Sequence, residues 1–136
     1  MKKTMAVFFA AITMLALSTT AFAATASYIR YLSSGKAVAG SAKHENNTRV
    51  YVTQDSNVNT ETGATGPKMS YGARKTKTTS GSSICNEMSV SGYSGDASAA
   101  YKSGQTPKKG ATVYLVVQAS KATSTGQWEV AGSWSP

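Results

Sequence analysis

Cysteine and histidine are almost missing from this chain. Cys85 is the single cysteine and His44 the single histidine among 136 residues. No intramolecular disulfide can form, and a transition-metal site, which needs several such ligands at close spacing, is disfavoured. A catalytic Cys–His pair would need these two residues, but the sequence around Cys85 lacks the glycine-rich or helix-N-terminal setting that activates a thiol. We therefore predict that the protein is not an enzyme and carries no cofactor.

Acidic residues are also scarce, with six Asp and Glu against 14 Lys and Arg and a net charge of +8. Most of the carboxylates stand in predicted turns, which disfavours the carboxylate pair of a glycoside hydrolase. Four oxygen-bearing side chains alternate like the first ligands of a calcium loop: Asp55, Asn57, Asn59 and Glu61. Thr60 stands where the EF-hand loop has glycine, and Gly66 where it has glutamate. The sequence thus predicts no metal site and leaves calcium binding by this loop open.

Long hydrophobic runs are lacking, with one exception at the N-terminus. Lys2 and Lys3 precede an apolar run over residues 5–17, which is followed by an Ala-x-Ala sequence ending at Ala23. This order is typical of a cleaved secretory signal peptide. The run is too short, and too interrupted by Thr and Ser, to span a membrane comfortably. We predict a helical signal peptide over residues 1–23, and a secreted, extracellular single domain over residues 24–136 without a transmembrane span.

Removal of the signal peptide changes the composition of the remaining domain. All three Phe residues lie within the segment, and the loss of Lys2 and Lys3 lowers the net charge from +8 to +6. The remaining large apolar residues are mainly Val, Tyr and Trp. We expect a modest core that depends on tyrosine and tryptophan, whose polar tips need hydrogen-bond partners.

Apolar and polar residues alternate with a period of two along most of residues 24–136, the pattern of half-buried strands. The clearest example is a predicted hairpin, in which residues 111–119 and 127–134 carry an apolar inward stripe. Residues 55–67 are predicted to form the longest loop, and residues 84–90 a strand with Cys85 on its more polar face. The fold class predicted from this pattern is all-β, a small antiparallel β-sandwich or barrel of about seven or eight strands.

Two groups of basic residues have tyrosines near them in sequence. The candidate ligand-binding residues are Lys68, Tyr71, Arg74, Lys75, Lys77, Tyr101, Lys102, Lys108 and Lys109. Basic groups interleaved with aromatic rings can bind nucleic-acid strands, sugars or anionic polymers. The chain carries no nucleic-acid-binding signature, and export argues against nucleic acid as a partner. An equally plain explanation is a solvated strand edge that is charged to prevent aggregation.

These features lead to three functional hypotheses. The first is a secreted, non-enzymatic basic β domain that binds an anionic wall polymer, a glycan or a membrane surface at the bacterial cell envelope. The second is a secreted antibacterial, bacteriocin-like protein, which shares the small size and positive charge. The third is a self-assembling surface protein that uses strand edges or a dimer linked through Cys85. The sequence leaves the oligomeric state open.

Overall fold

The computed structural model describes residues 25–136, so the predicted signal peptide over residues 1–23 lies outside the described residues. Within residues 25–136, eight strands form two antiparallel four-stranded sheets packed as a sandwich, which confirms the predicted all-β fold and selects the sandwich over the barrel. The strands are β1 (Ala26–Leu32), β2 (Lys36–Lys43), β3 (Arg49–Asn59), β4 (Met69–Arg74), β5 (Met88–Val90), β6 (Gly95–Ala100), β7 (Thr112–Ala119) and β8 (Trp128–Ser135).

Each of the two sheets contains four antiparallel strands. Sheet A has the strand order β1-β8-β3-β6 and sheet B the order β2-β7-β4-β5. The chain therefore changes sheet several times, for example between β1 and β2 and between β5 and β6. No helix among residues 25–136 is long and apolar enough to cross a membrane.

The core lies between the sheets and follows the predicted alternation. On β4, Met69, Tyr71 and Ala73 are at most 1% exposed, while the residues between them are partly exposed. The largest side chain that is fully buried is that of Trp134 on β8. Each fully buried Val or Leu side chain stabilises the fold by about 1.5–3 kcal/mol, so valines such as Val50 supply much of the stability of this small core.

The predicted hairpin of residues 111–119 and 127–134 is wrong in its pairing. Both segments are strands, but β7 pairs with β2 and β4 in sheet B, whereas β8 pairs with β1 and β3 in sheet A. The two apolar stripes were correctly assigned to the interior, and they face each other from opposite sheets. The connection over residues 120–127 crosses between the sheets and is held to β1's end by a hydrogen bond from the Thr123 amide to the Ser33 carbonyl.

The predicted loop over residues 55–67 is shorter than expected, because β3 continues to Asn59. A bulge between Gln54 and Ser56 shifts the register and turns Asn57 inward, where it is fully buried. The Asn57 amide donates to the Pro67 carbonyl at 2.7 Å. Asparagine is common in turns because it bonds to nearby backbone. Here Asn57 lies on a strand, and its hydrogen bond to Pro67 fixes the loop that follows β3.

The predicted strand over residues 84–90 is also shorter than expected, since only Met88–Val90 forms β5. The prediction that Cys85 lies on a polar face is wrong, because Cys85 is fully buried. The Ile84 amide bonds to the Ala73 carbonyl, and the Ile84 carbonyl accepts from the Lys102 amide. This short segment therefore joins β4 to the residues after β6, and both of its side chains turn inward.

Candidate functional site

Strand pairing gathers the ends of three sheet B strands at one end of the sandwich. Lys43, the last residue of β2, pairs with Thr112 at the start of β7. Arg74, the last residue of β4, pairs with Tyr114 on the same strand. The loops that follow β2 and β4 and the loop that precedes β7 therefore lie together.

Sheet A contributes to the same end through β3 and β6. Arg49 at the start of β3 pairs with Ala100 at the end of β6. The hydrogen bonds of Ile84 then connect this corner to β4, as described above. We call this surface the basic end, and its cationic residues are Lys43, Arg49, Arg74, Lys75, Lys102, Lys108 and Lys109.

The basic end unites most of the two predicted clusters. Arg74 and Lys75 come from the first cluster, and Lys102, Lys108 and Lys109 from the second. Lys77 lies beside β2, where it lines a groove with Arg30 and Val38. Lys68 does not belong to the basic end either. Lys68 precedes β4, and its carbonyl accepts from the Ser120 amide just after β7, which places it at the opposite end of the sandwich.

The two tyrosines predicted to contact a ligand, Tyr71 and Tyr101, are less exposed to solvent than expected. Tyr71 is 1% exposed, and its hydroxyl is hydrogen-bonded to Gln54 and Tyr28 inside the core. Burial also raises the pKa of Tyr71 far above its usual range. The assignment of Tyr71 to a binding surface therefore does not fit the structure. Tyr101 lies at the basic end but is only partly exposed.

Tyr101 packs against His44 and Cys85 beneath the surface. The rings of Tyr101 and His44 meet edge to face at 5.4 Å, and the Tyr101 hydroxyl lies 3.3 Å from His44 Nδ1. Tyr101 forms a β-bridge with Cys85, and burial raises the pKa of Tyr101 to about 12. The His44 backbone also bonds to Ala111 and Gly110. This cluster anchors the lysine-bearing loop before β7.

No hydrogen bond joins Cys85 to His44 within residues 25–136. The Cys85 sulfur lies 3.4 Å from the Ser83 hydroxyl, and its side chain has no exposed surface. A disulfide to a second chain would therefore require this part of the fold to open. The arrangement is that of a packed structural cluster and not of an exposed nucleophile.

Little negative charge compensates the basic end. Within the described residues the one ion pair joins Lys109 to Glu45 at 3.7 Å. The Lys109 side chain is largely exposed and that of Glu45 partly exposed, so this pair contributes at most about 1 kcal/mol. Lys43 instead donates to the Thr112 hydroxyl at 2.7 Å, and Arg49 donates to the Ser98 hydroxyl at 3.1 Å. Glu87 lines a cleft together with Arg74 and forms no ion pair with it.

The four side chains of the calcium-like run do not converge on one point. Asp55 is exposed, whereas Asn57 and Asn59 point into the protein. The Asn59 amide donates to the Thr125 carbonyl, and its side-chain oxygen accepts from the backbone of Glu61. Among the described residues, no group of three or more His, Cys, Asp or Glu side chains is placed to hold a metal ion.

Two residues of the basic end, Lys43 and Arg49, were missed by sequence reasoning. They lie in a short polar stretch that resembles an ordinary turn. Their spacing carries no signal for a site, because only the pairing of β2 with β7 and of β3 with β6 brings them beside the other lysines.

Comparison with known proteins adds no relative to this description. No family model, no curated protein and no solved structure matches the chain.

Proposed function

We propose that this protein is a secreted, non-enzymatic binding domain, and that its basic end binds an anionic polymer or an anionic glycan at the bacterial cell envelope. The observation that supports the proposal is the gathering of seven cationic residues at one end of the sandwich. Four of the six carboxylates lie elsewhere, namely those of Asp55, Glu61, Asp96 and Glu129.

The charge distribution gives this end a physical preference for polyanions. Clustered charges of one sign raise the local concentration of oppositely charged ligands and speed their association. A polymer with repeated phosphate or carboxylate groups can contact several of these lysines at once. Exposed charges are screened over about 8 Å at physiological ionic strength, so such binding weakens as salt is added.

The proposal is tested by co-sedimentation of the purified protein with poly(glycerol phosphate) coupled to beads, at low and high salt. The test variant is Lys102→Gln combined with Lys108→Gln, which removes two charges from the basic end. The matched control is Lys68→Gln combined with Lys121→Gln, which removes the same charge from the opposite end.

Each lysine near an anionic surface contributes about 1 kcal/mol, so the test variant should bind about tenfold more weakly or worse at low salt. The control should keep most of the binding. Equal weakening of both variants would assign the effect to net charge and not to the basic end. Absence of binding by the unaltered protein at low salt would overturn the proposal.

An antibacterial role is a second candidate, favoured by one further observation. Four large apolar or aromatic side chains are about half exposed on a protein that is also cationic: Ile29, Tyr31, Tyr51 and Tyr93. Such residues can enter the interface of an anionic membrane after electrostatic attachment. Growth inhibition of bacteria by the purified protein, together with dye release from phosphatidylglycerol vesicles, would favour this role over simple binding.

A further inference from the structure

Arg74 differs from the other cations of the basic end because it is buried. Its side chain is 7% exposed although strand alternation directs it to the outer face of sheet B, away from the core. On that face the guanidinium lies back along β4 towards Gly72. Arginine cannot lose its charge under physiological conditions, so this burial places a permanent cation in a partly dry site.

The guanidinium lacks the partners that such burial normally requires. Its Nη1 donates to the carbonyl of the adjacent Ala73 at 3.2 Å, whereas the buried Nε has no hydrogen-bond partner. Within residues 25–136, no carboxylate lies within 4.0 Å of it. Nearly all buried donors in proteins are paired, so an orphaned charged donor requires an explanation.

Arg74 lines a small open cleft on the outer face of sheet B. The cleft has a volume of about 50 Å³, and its other polar lining residues are Lys36, Ser70, Ser83, Glu87 and Gln118. Gly72 forms part of the floor. A Cβ atom at Gly72 would lie 3.0 Å from the Ser83 hydroxyl and 3.1 Å from Arg74 Nη1, so the absence of a side chain keeps the cleft open.

The geometry points to a binding site for one small oxyanion, a carboxylate or phosphate group, held by Arg74. The terminal Nη2 of Arg74 has no hydrogen-bond partner among the described residues and, unlike Nε, is not buried, so it is the donor that an anion in the cleft can reach. Lys36 adds a second positive charge. Ser70 and Gln118 are neighbours in the β4–β7 register, and neither side chain has a partner among the described residues, so both can donate to the anion.

The cleft has room for one small anionic group, because its volume is several times the roughly 10–15 Å³ that one water molecule requires. In a longer ligand, a terminal or side group would occupy it. This assignment rests on the proposed function for the source of the anion, because the cleft adjoins the basic end through Arg74.

The negative charge of Glu87 opposes the binding of an anion in the cleft. Glu87 lines the same cleft and forms no ion pair with Arg74. A bound anion must therefore overcome the repulsion of Glu87, and neutralising this residue should strengthen binding. A purely structural role of Arg74 makes no such prediction, since Glu87 would then stabilise the arginine and its removal would only weaken the fold.

The site is tested by titrating the purified protein with inorganic phosphate, with acetate and with chloride, and following the Arg74 Nε–H and Gly72 amide signals by NMR. Saturable shifts with phosphate alone, or with acetate alone, would assign the chemistry of the natural group. Glu87→Gln should bind the preferred anion at least threefold more tightly. Gly72→Ala retains every charge but fills the cleft, and should bind at least tenfold more weakly.

Arg74→Gln should abolish the saturable shift, while Lys75→Gln, which removes the same charge from an exposed neighbour, should leave it unchanged. If Arg74→Gln does not fold, the Gly72 and Glu87 variants still decide the question. Shifts no larger than those with chloride, or an unchanged affinity in Gly72→Ala, would overturn the assignment. Polymer sedimentation that persists despite this result would leave the proposed function standing, whereas anion binding without sedimentation would remove the proposed function and keep the site.

Discussion

The Tyr71 hydroxyl donates a hydrogen bond of 2.7 Å to Oε1 of Gln54 and so connects the two sheets through the core. The Tyr28 hydroxyl in turn donates to Tyr71 at 3.1 Å, and the Gln54 amide donates to the carbonyls of Gly92 and Tyr93. A continuous polar chain therefore crosses the interior. This chain explains how a domain with few large aliphatic residues can bury tyrosines, because each polar tip has a partner.

Replacement of Tyr71 by phenylalanine should destabilise the protein more than the loss of one hydrogen bond suggests. Gln54 would keep its buried side-chain oxygen without a donor, which costs about 1–3 kcal/mol. The free energy of unfolding in urea measures this effect. Tyr93→Phe is the matched control, because the Tyr93 ring is about half exposed and surface substitutions usually change stability by less than about 0.5 kcal/mol. Equal effects of the two substitutions would contradict the role of the chain.

Stability should fall steeply in alkaline solution. Burial raises the pKa of Tyr28 to about 12 and raises that of Tyr71 as well, while an unfolded tyrosine has a pKa of about 10. Above pH 10 the unfolded chain loses these protons before the folded protein does, so unfolding becomes favoured. The stabilisation is complete below pH 10 and is lost towards pH 12, by about 2–3 kcal/mol for Tyr28.

Urea unfolding at neutral pH and near pH 11, with tyrosinate absorbance as the probe of ionisation, measures this dependence. Tyr28→Phe should flatten the alkaline decline, since one of the groups that titrates differently in the two states is removed. The exposed-residue variant Tyr93→Phe should decline like the unaltered protein. A decline that is the same in all three proteins would show that the Tyr28 hydroxyl is not its cause.

Replacement of Gly132 by alanine should strongly destabilise the fold. It lies on β8 between β1 and β3, and a Cβ atom there would overlap the backbone carbonyl of Thr53, which cannot move without breaking the β3–β8 pairing. We expect a loss of about 2–3 kcal/mol or more in the free energy of unfolding. Gly40→Ala is the control, because its added Cβ would meet its nearest neighbours at 3.6–3.9 Å, an ordinary contact distance. A larger loss in Gly40→Ala would contradict this ranking.

Alternation of apolar residues was sufficient to predict strands, most of their inward faces and an all-β fold that is either a sandwich or a barrel. It could not predict which strands pair, because β7 and β8 carry the same inward stripe whether they lie side by side or face each other across the core. The length of β3 was underestimated for a related reason. Asn57 and Asn59 have strong turn propensity, and only the packing of the following loops against them makes a strand of this segment.

The candidate site was predicted in its chemistry but not in its arrangement. Clusters of lysine are visible in the sequence, whereas the convergence of two of them depends on the non-local contacts of Ile84 with Ala73 and Lys102. The local sequence likewise gives no sign that Arg74 is buried while Lys75 is exposed. One lies on the strand and is buried against Gly72, and the next begins an exposed loop.

Cys85 should resist thiol reagents in the folded protein. Its side chain has no exposed surface and lies against Tyr101 and Ser83, so reaction requires local or global opening. We expect labelling by a water-soluble disulfide reagent to be at least a hundredfold slower in buffer than in concentrated urea. We also expect a monomer on a non-reducing gel. Cys85→Ala supplies the baseline for non-specific labelling. Labelling in buffer as fast as in urea, or a dimer that dithiothreitol dissociates, would show that the thiol is accessible and would restore the disulfide-linked assembly as a function of this protein.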